Sequence, residues 1–226
     1  MPRIRPSHER PSRDERRITL VEAARRCFSS RGYHATTVDD ITRAAGVAKG
    51  TFYLYFDEKR EIYYEVIRGF MQLIKDIGAS IAATSASPLD LFARAEQGAR
   101  ELTQVFLDNR ELARLAYRES MGMDPELERM IADFYREIAQ VTARNLQGAI
   151  DLGLIRPVHP LLTAYGQMGM VERVLMAMVD DPDSFPDADA VVRELMRLSW
   201  EGLRLDQASG FRPQASGQGS GSEPEA

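Results

Sequence analysis

The sequence predicts an all-α fold, an N-terminal helix-turn-helix domain of three helices followed by a larger helical domain, about nine helices in total. Three observations predict it. Apolar residues recur at three- and four-residue spacing along most of the chain, and no run alternates apolar with polar residues as a half-buried strand does. Ser, Thr, Asp and Gly stand where that periodicity starts and stops.

Taken in order, residues 1–13 are rich in Pro, Ser and Arg and read as a flexible basic arm. Arg3, Arg5, Arg10 and Arg13 in it suit a minor groove or phosphates, or a solvated tail. From Asp14 the positions Ile18, Val21, Ala24 and Phe28 define a first helix, which Gly32 stops. Thr37 is a good N-cap for the second helix, and Asp40 three residues on completes a capping-box pair. Val38, Ile41 and Ala45 form its apolar stripe, and Gly46 ends it. A third helix covers about 49–55. Asp57 caps a fourth, about 58–84, in which Ile62, Val66, Phe70, Leu73, Ile77 and Ile81 keep helical spacing over roughly 40 Å. Ser87-Pro88 opens the next helix, a short one follows at about 110–119, and Asp124-Pro125 opens another that ends at Gly153. The last two span about 158–179 and 187–207. Residues 208–226 are Gly/Ser/Pro/Gln-rich and read as a disordered tail. The domains are therefore expected at 14–60 and 61–207.

Composition narrows the function. A hydrophobic fraction of 44% and a charged fraction of 28% fit a soluble globular chain. The one cysteine, Cys27, allows no internal disulfide, which fits a cytoplasmic location. The N-terminal residues lack the apolar stretch of a secretory signal. The net charge is −5, but residues 1–60 hold 13 basic and 8 acidic side chains. A basic module on an acidic body points to an anionic partner for that module alone.

The third helix carries the chemistry. In "GTFYLYF" four of the last five residues are aromatic. On a helical wheel Phe52 and Phe56 fall within about 40° of each other and make an inward anchor pair. Gly50, Thr51 and Leu54 centre on the opposite face, with Tyr53 and Tyr55 on its flanks. Such a helix, joined to its predecessor through Gly46-Val47-Ala48, fits a major groove about 12 Å wide. Gly50 lets backbone approach closely, Thr51 offers a hydroxyl or a methyl, and Tyr53, Tyr55, Lys49 and Lys59 reach phosphates or base edges. A two-helix turn with glycine also occurs in structural all-α proteins, so the basic surroundings are part of the argument.

The stretch "HATTVDDITRAAGVAKGTFYLYFDEKREI" resembles the DNA-binding domain of the TetR family of bacterial transcriptional regulators, over about residues 14–67. The rest of the chain resembles the family in helix count, helix lengths and acidic balance only. The resemblance implies a homodimer that binds a partly palindromic double-stranded operator, most often as a repressor released by a small molecule. Carried over by position, Thr37 would hold a phosphate, Lys49, Gly50 and Thr51 would face the groove, Tyr53 and Tyr55 would contact backbone or base edges, and Lys59 a phosphate. Position 48 often carries Ser in the family and is Ala48 here, so the third helix lacks that cap, at about 1 kcal/mol of local stability.

The stretch "LLTAYGQMGMVERVLMAMV" holds only two charges, Glu172 and Arg173, and reads as buried on every side. A membrane span is disfavoured by those adjacent charges. One face is expected on the protein's own core and the other on a second copy, with Gly166, Gly169 and Met176 meeting Leu195, Leu198 and Trp200 of the last helix in a four-helix interface. The family resemblance implies the same pairing. It also implies an effector pocket in the body, for which residue type and place suggest Phe92, Phe106, Tyr117, Phe134, Tyr135, Tyr165 and Met168; an apolar or aromatic effector suits such walls. Methionines and aromatics at helical spacing are, however, more often core than pocket. His8, His34 and His159 are scattered, and no HExxH, paired-cysteine, P-loop or GxSxG pattern stands out. No enzyme activity, cofactor or metal is expected. The alternative is a helical ligand-binding or adaptor protein that does not bind DNA.

Overall fold

The structure, a computed structural model, describes residues 12–81, 88–119 and 124–203. The basic arm before Ser12, the end of the fourth helix and the tail expected at 208–226 lie outside the described residues. Among those described, nine α-helices follow one another with no strand: α1 Arg13–Ala35, α2 Val38–Ala45, α3 Lys49–Phe52, α4 Lys59–Ile81, α5 Pro88–Asp108, α6 Arg110–Arg114, α7 Pro125–Asp151, α8 Pro160–Asp180 and α9 Ala188–Glu201. A π-helical turn, Leu115–Glu119, continues α6, and a 3₁₀ turn, Pro182–Ser184, lies between α8 and α9.

The helix ends are chemically explicit. Ser12 and Glu15 form a reciprocal capping box, so α1 begins at Arg13, inside the stretch expected to be a flexible arm. Gly32 interrupts α1 at φ 76°, and the helical path resumes to Ala35. Thr37 caps α2 through Asp40 as expected, while Gly46 closes it at φ 68°. The Val47 N–H then bonds the Thr42 carbonyl at 3.0 Å and the Gly46 N–H that of Arg43 at 3.2 Å, a Schellman closure. Asp124 caps α7 by accepting from Glu126 and Leu127. His159 caps α8 by accepting from the Leu162 N–H through its ring nitrogen.

The first core lies among α1, α2, α3 and α4. Leu20, Ala23, Ala24, Cys27 and Phe28 of α1 are buried there with Ile41, Phe52, Phe56, Ile62 and Tyr63. Ile18 is 66% exposed, so the inward face of α1 is set by Leu20 and its neighbours. That face packs against α2, α4, α6 and the π turn. In α4, Ile62, Val66 and Phe70 are buried as the spacing predicts, but Leu73 is 46% exposed and Met71 turns inward. Further along, α4 packs on α5 and α7, α7 on α8, and α5 on α9.

Candidate functional site

The short α3 is held by its aromatic anchors. Phe52 and Phe56 are buried with ring centroids 5.6 Å apart. Helical geometry ends at Phe52, earlier than the span of 49–55 predicts, and a turn carries residues 53–55. The division of the aromatics survives that change. Tyr53 and Leu54 are exposed and Tyr55 is half-buried. Lys49 and Gly50 are exposed, and a Cβ built on Gly50 would meet nothing within 4 Å. Thr51 is half-buried. Ala48 stands at the N-cap position with extended backbone and no side-chain bond. These residues form one surface beside the start of α2, where Lys49 Nζ lies 2.9 Å from Asp39.

Thr37 is exposed, its hydroxyl accepting from the Asp40 N–H at 3.2 Å and donating to the Asp40 carboxylate at 2.7 Å. The hydroxyl's bond to the carboxylate, the Thr37 N–H donating to it at 3.0 Å and the Arg31 guanidinium 3.1 Å away hold the Asp40 carboxyl down at a pKa of about 2. Lys59, expected at a phosphate, is turned into the protein. Its ammonium donates to the carbonyls of Tyr33 at 2.8 Å and Thr36 at 2.7 Å and lies 4.2 Å from the Tyr33 ring centroid. Burial draws its pKa down. The sequence reading missed this role because the two carbonyls lie 26 and 23 residues away from Lys59, at the end of α1, and no local pattern shows that they meet it.

A second site is a cavity of about 280 Å³ among α4, α5, α6, its π turn, α7 and α8. Phe106, Tyr117, Phe134, Tyr135 and Met168 line it, as the effector expectation requires. Phe92 does not; its ring packs edge-on to Trp200 at 5.2 Å. Tyr165 does not either, being 46% exposed on the outer face of α8. Polar groups at the walls are few: the Tyr135 hydroxyl donates to Glu172 at 2.7 Å, and Gln167 and Thr142 are nearby. Burial pushes the Glu172 carboxyl up.

The expected dimer residues divide. Gly166 and Gly169 are exposed with open space above them, and Leu198 is 49% exposed. Met176 and Leu195 are buried within the single chain, Met176 at the cavity wall. Trp200 is half-buried in a small cluster with Leu146, Ala164 and Leu203. An α8 apolar all round gives no sign of which side faces home, and the packing of α7 and α6 decides it. Among the described residues no helix is long and apolar enough to cross a membrane, and no cluster of three or more His, Cys, Asp or Glu side chains is placed to hold a metal.

Comparison with known proteins agrees with this arrangement. Residues 20–66 match the model of "Bacterial regulatory proteins, tetR family". The uncharacterized HTH-type transcriptional regulator YhgD of Bacillus subtilis is 30% identical over 161 residues, which covers 67% of this chain and 78% of that protein. The HTH-type transcriptional repressor KstR2 of Rhodococcus jostii is 36% identical over 85 residues, covering 38% of this chain and 40% of its own. The structure of the regulator FadR of Bacillus subtilis in complex with stearoyl-CoA superposes with a TM-score of 0.68 at 21% identity, covering 80% of this chain and 96% of that one. With the capped helix-turn-helix, the helical body and these relatives together, the chain belongs to the TetR family of DNA-binding transcriptional regulators.

Proposed function

We propose that the protein is a ligand-responsive repressor, acting in the cytoplasm as a homodimer on a palindromic operator and released by a small apolar or aromatic effector. One observation carries the ligand response. The segment formed by α6 and its π turn touches both the cavity and the helices α1 and α4 that frame the DNA-binding module. Ala113, Ala116 and Tyr117 line the cavity, while the same segment packs against α1 and accepts the Tyr63 hydroxyl of α4 at the Leu115 carbonyl, 3.5 Å away. Whatever fills the cavity presses on a wall that also supports the DNA-binding module. A ligand that favours one position of that wall shifts the population of module orientations. Release follows when the two recognition surfaces of a dimer no longer match grooves about 34–36 Å apart.

On the DNA side, Thr37, Lys49, Gly50, Thr51, Tyr53 and Tyr55 form the reading surface in this proposal, Ala48 starts it, and Lys59 anchors α4 beneath it. The repressor relative KstR2 and the family's usual mode of action support the sign of regulation. For the dimer, the exposed Gly166, Gly169 and Leu198 supply an apolar face on which a second copy packs.

The test is a gel-shift titration against DNA flanking the protein's own gene, repeated across salt. Saturable binding that weakens steeply with salt is expected. Absence of any such fragment sinks the operator reading and leaves a helical ligand-binding protein.

A further inference from the structure

The chemistry of the cavity wall is unbalanced in a way that specifies its ligand. The wall is almost wholly apolar, and five aromatic rings contribute to it: Phe70, Phe106, Tyr117, Phe134 and Tyr135. Among the described residues, Glu172 is the one lining side chain that carries a full charge when ionised near neutral pH, and none is basic. Arg173, its neighbour in sequence, is exposed and does not line the cavity; its guanidinium carbon is 6.0 Å from the Tyr117 ring centroid. Lys75, on α4, pairs with Glu137 and also stays off the wall.

We propose that the cavity takes an apolar organic cation, a protonated nitrogen carried on a hydrocarbon or aromatic body, with Glu172 as its counter-charge. This rests on reading the cavity as the effector site. Three physical facts favour a cation. A carboxylate in an apolar wall gains most from an opposite charge, because the surrounding dielectric is low. Aromatic faces attract cations through their quadrupoles, and more strongly when both are removed from water. An anionic head group would meet Glu172 with no basic partner among the described wall residues, which is a repulsive arrangement. The Tyr135 hydroxyl orients the carboxylate by donating to one of its oxygens, and a carboxylate accepts about four hydrogen bonds in all. Burial pushes the Glu172 carboxyl up, while the Tyr135 hydrogen bond and the nearby Arg173 charge draw it down; a cation bound in the cavity would draw it down further and favour the carboxylate.

The test uses the full chain and three probes built on one ring system: 2-naphthylmethylamine, 2-naphthalenemethanol and 2-naphthoate. Isothermal titration at neutral pH is expected to show the amine binding at least tenfold more tightly than the naphthoate. Glu172→Gln keeps the shape and a hydrogen-bond acceptor for Tyr135. It should lower amine affinity at least tenfold and remove the preference, with an unchanged circular dichroism spectrum. Tyr135→Phe, which leaves the carboxylate in place, should keep the preference. Naphthoate binding as tightly as the amine, an amine affinity untouched by Glu172→Gln, or no amine binding at millimolar concentration would each overturn the proposal. Gel shifts with the same probes separate the two ideas. Amine binding of the expected pattern without release of DNA keeps the ligand class and removes the effector reading. Release by the naphthoate alone keeps the effector reading and overturns the ligand class.

Discussion

The Lys59 ammonium sits against both faces of Tyr33's chemistry, 2.8 Å from its carbonyl oxygen and 4.2 Å from its ring centroid. A second carbonyl, Thr36 at 2.7 Å, completes the set and ties the start of α4 to the end of α1. Lys59→Met keeps the aliphatic stem and leaves two carbonyls without that donor. Losing a partner of this kind costs about 1–3 kcal/mol, so the melting temperature should fall by several degrees. The salt dependence of DNA binding should keep its slope. A slope reduced by about 1 would instead show that Lys59 contacts a phosphate.

Asp40 links acid stability to the same module. Its folded pKa, about 2, lies below the ordinary carboxylate value because of the Thr37 hydroxyl and N–H and the Arg31 guanidinium. A depressed carboxylate contributes stability that is complete above its unfolded pKa and is lost as pH falls toward the folded one. Wild-type protein should therefore lose stability between about pH 4 and pH 2 in part through this group. Asp40→Asn should flatten that portion of the curve, measured as denaturation midpoint against pH.

Lys49 and Asp39 form an exposed pair that DNA would have to compete with on the proposed reading surface. Such pairs contribute about 0–1 kcal/mol, so neither substitution should change the fold. Lys49→Ala should weaken operator binding and lower the salt slope by about 1. Asp39→Asn removes a negative charge beside the reading surface and frees the ammonium; affinity should rise, most at low salt. Equal binding by wild type and Lys49→Ala would remove Lys49 from the interface.

Ala48 leaves a cap position empty although its backbone, φ −70° and ψ 149°, has the conformation that caps use. Ala48→Ser should stabilise the module by about 0.5–2 kcal/mol, read by thermal melting. An unchanged melting curve would mean that the four-residue helix gains nothing from a side-chain acceptor.

Gly169 separates folding from association. Its added Cβ would meet nothing within 4 Å, so Gly169→Glu should leave the single chain folded. On the proposed interface it places a charge where two copies meet. Sedimentation should then report monomer at micromolar concentration, with operator affinity reduced by tenfold or more. A dimer of unchanged strength would move the interface elsewhere.

The local grammar of the chain was readable residue by residue. The Thr37–Asp40 box, the Gly46 stop, the Asp124 cap and the inward pair Phe52 and Phe56 all follow from spacing and side-chain chemistry, and each occurs as expected. Helix phase was less readable. Ile18 and Leu73 continue a correct period yet face solvent, because neighbouring helices, not the period itself, decide which apolar positions are covered. The same ambiguity placed Met176 and Leu195 on an outer face when both are core. The Tyr135–Glu172 contact joins residues 37 positions apart and depends on how α7 lies against α8, which no local pattern encodes.

Gly50 lies open on the proposed reading surface, with nothing nearby to dictate what side chain it could carry. Folding places no steric demand on it; any demand for glycine there must come from whatever approaches that surface from outside. In the proposed function, stability and target choice sit at separate addresses, the first at the buried Phe52 and Phe56, the second at exposed neighbours such as this one. On that reading, exposed positions such as Gly50 can change what is recognised while Phe52 and Phe56 keep the module folded.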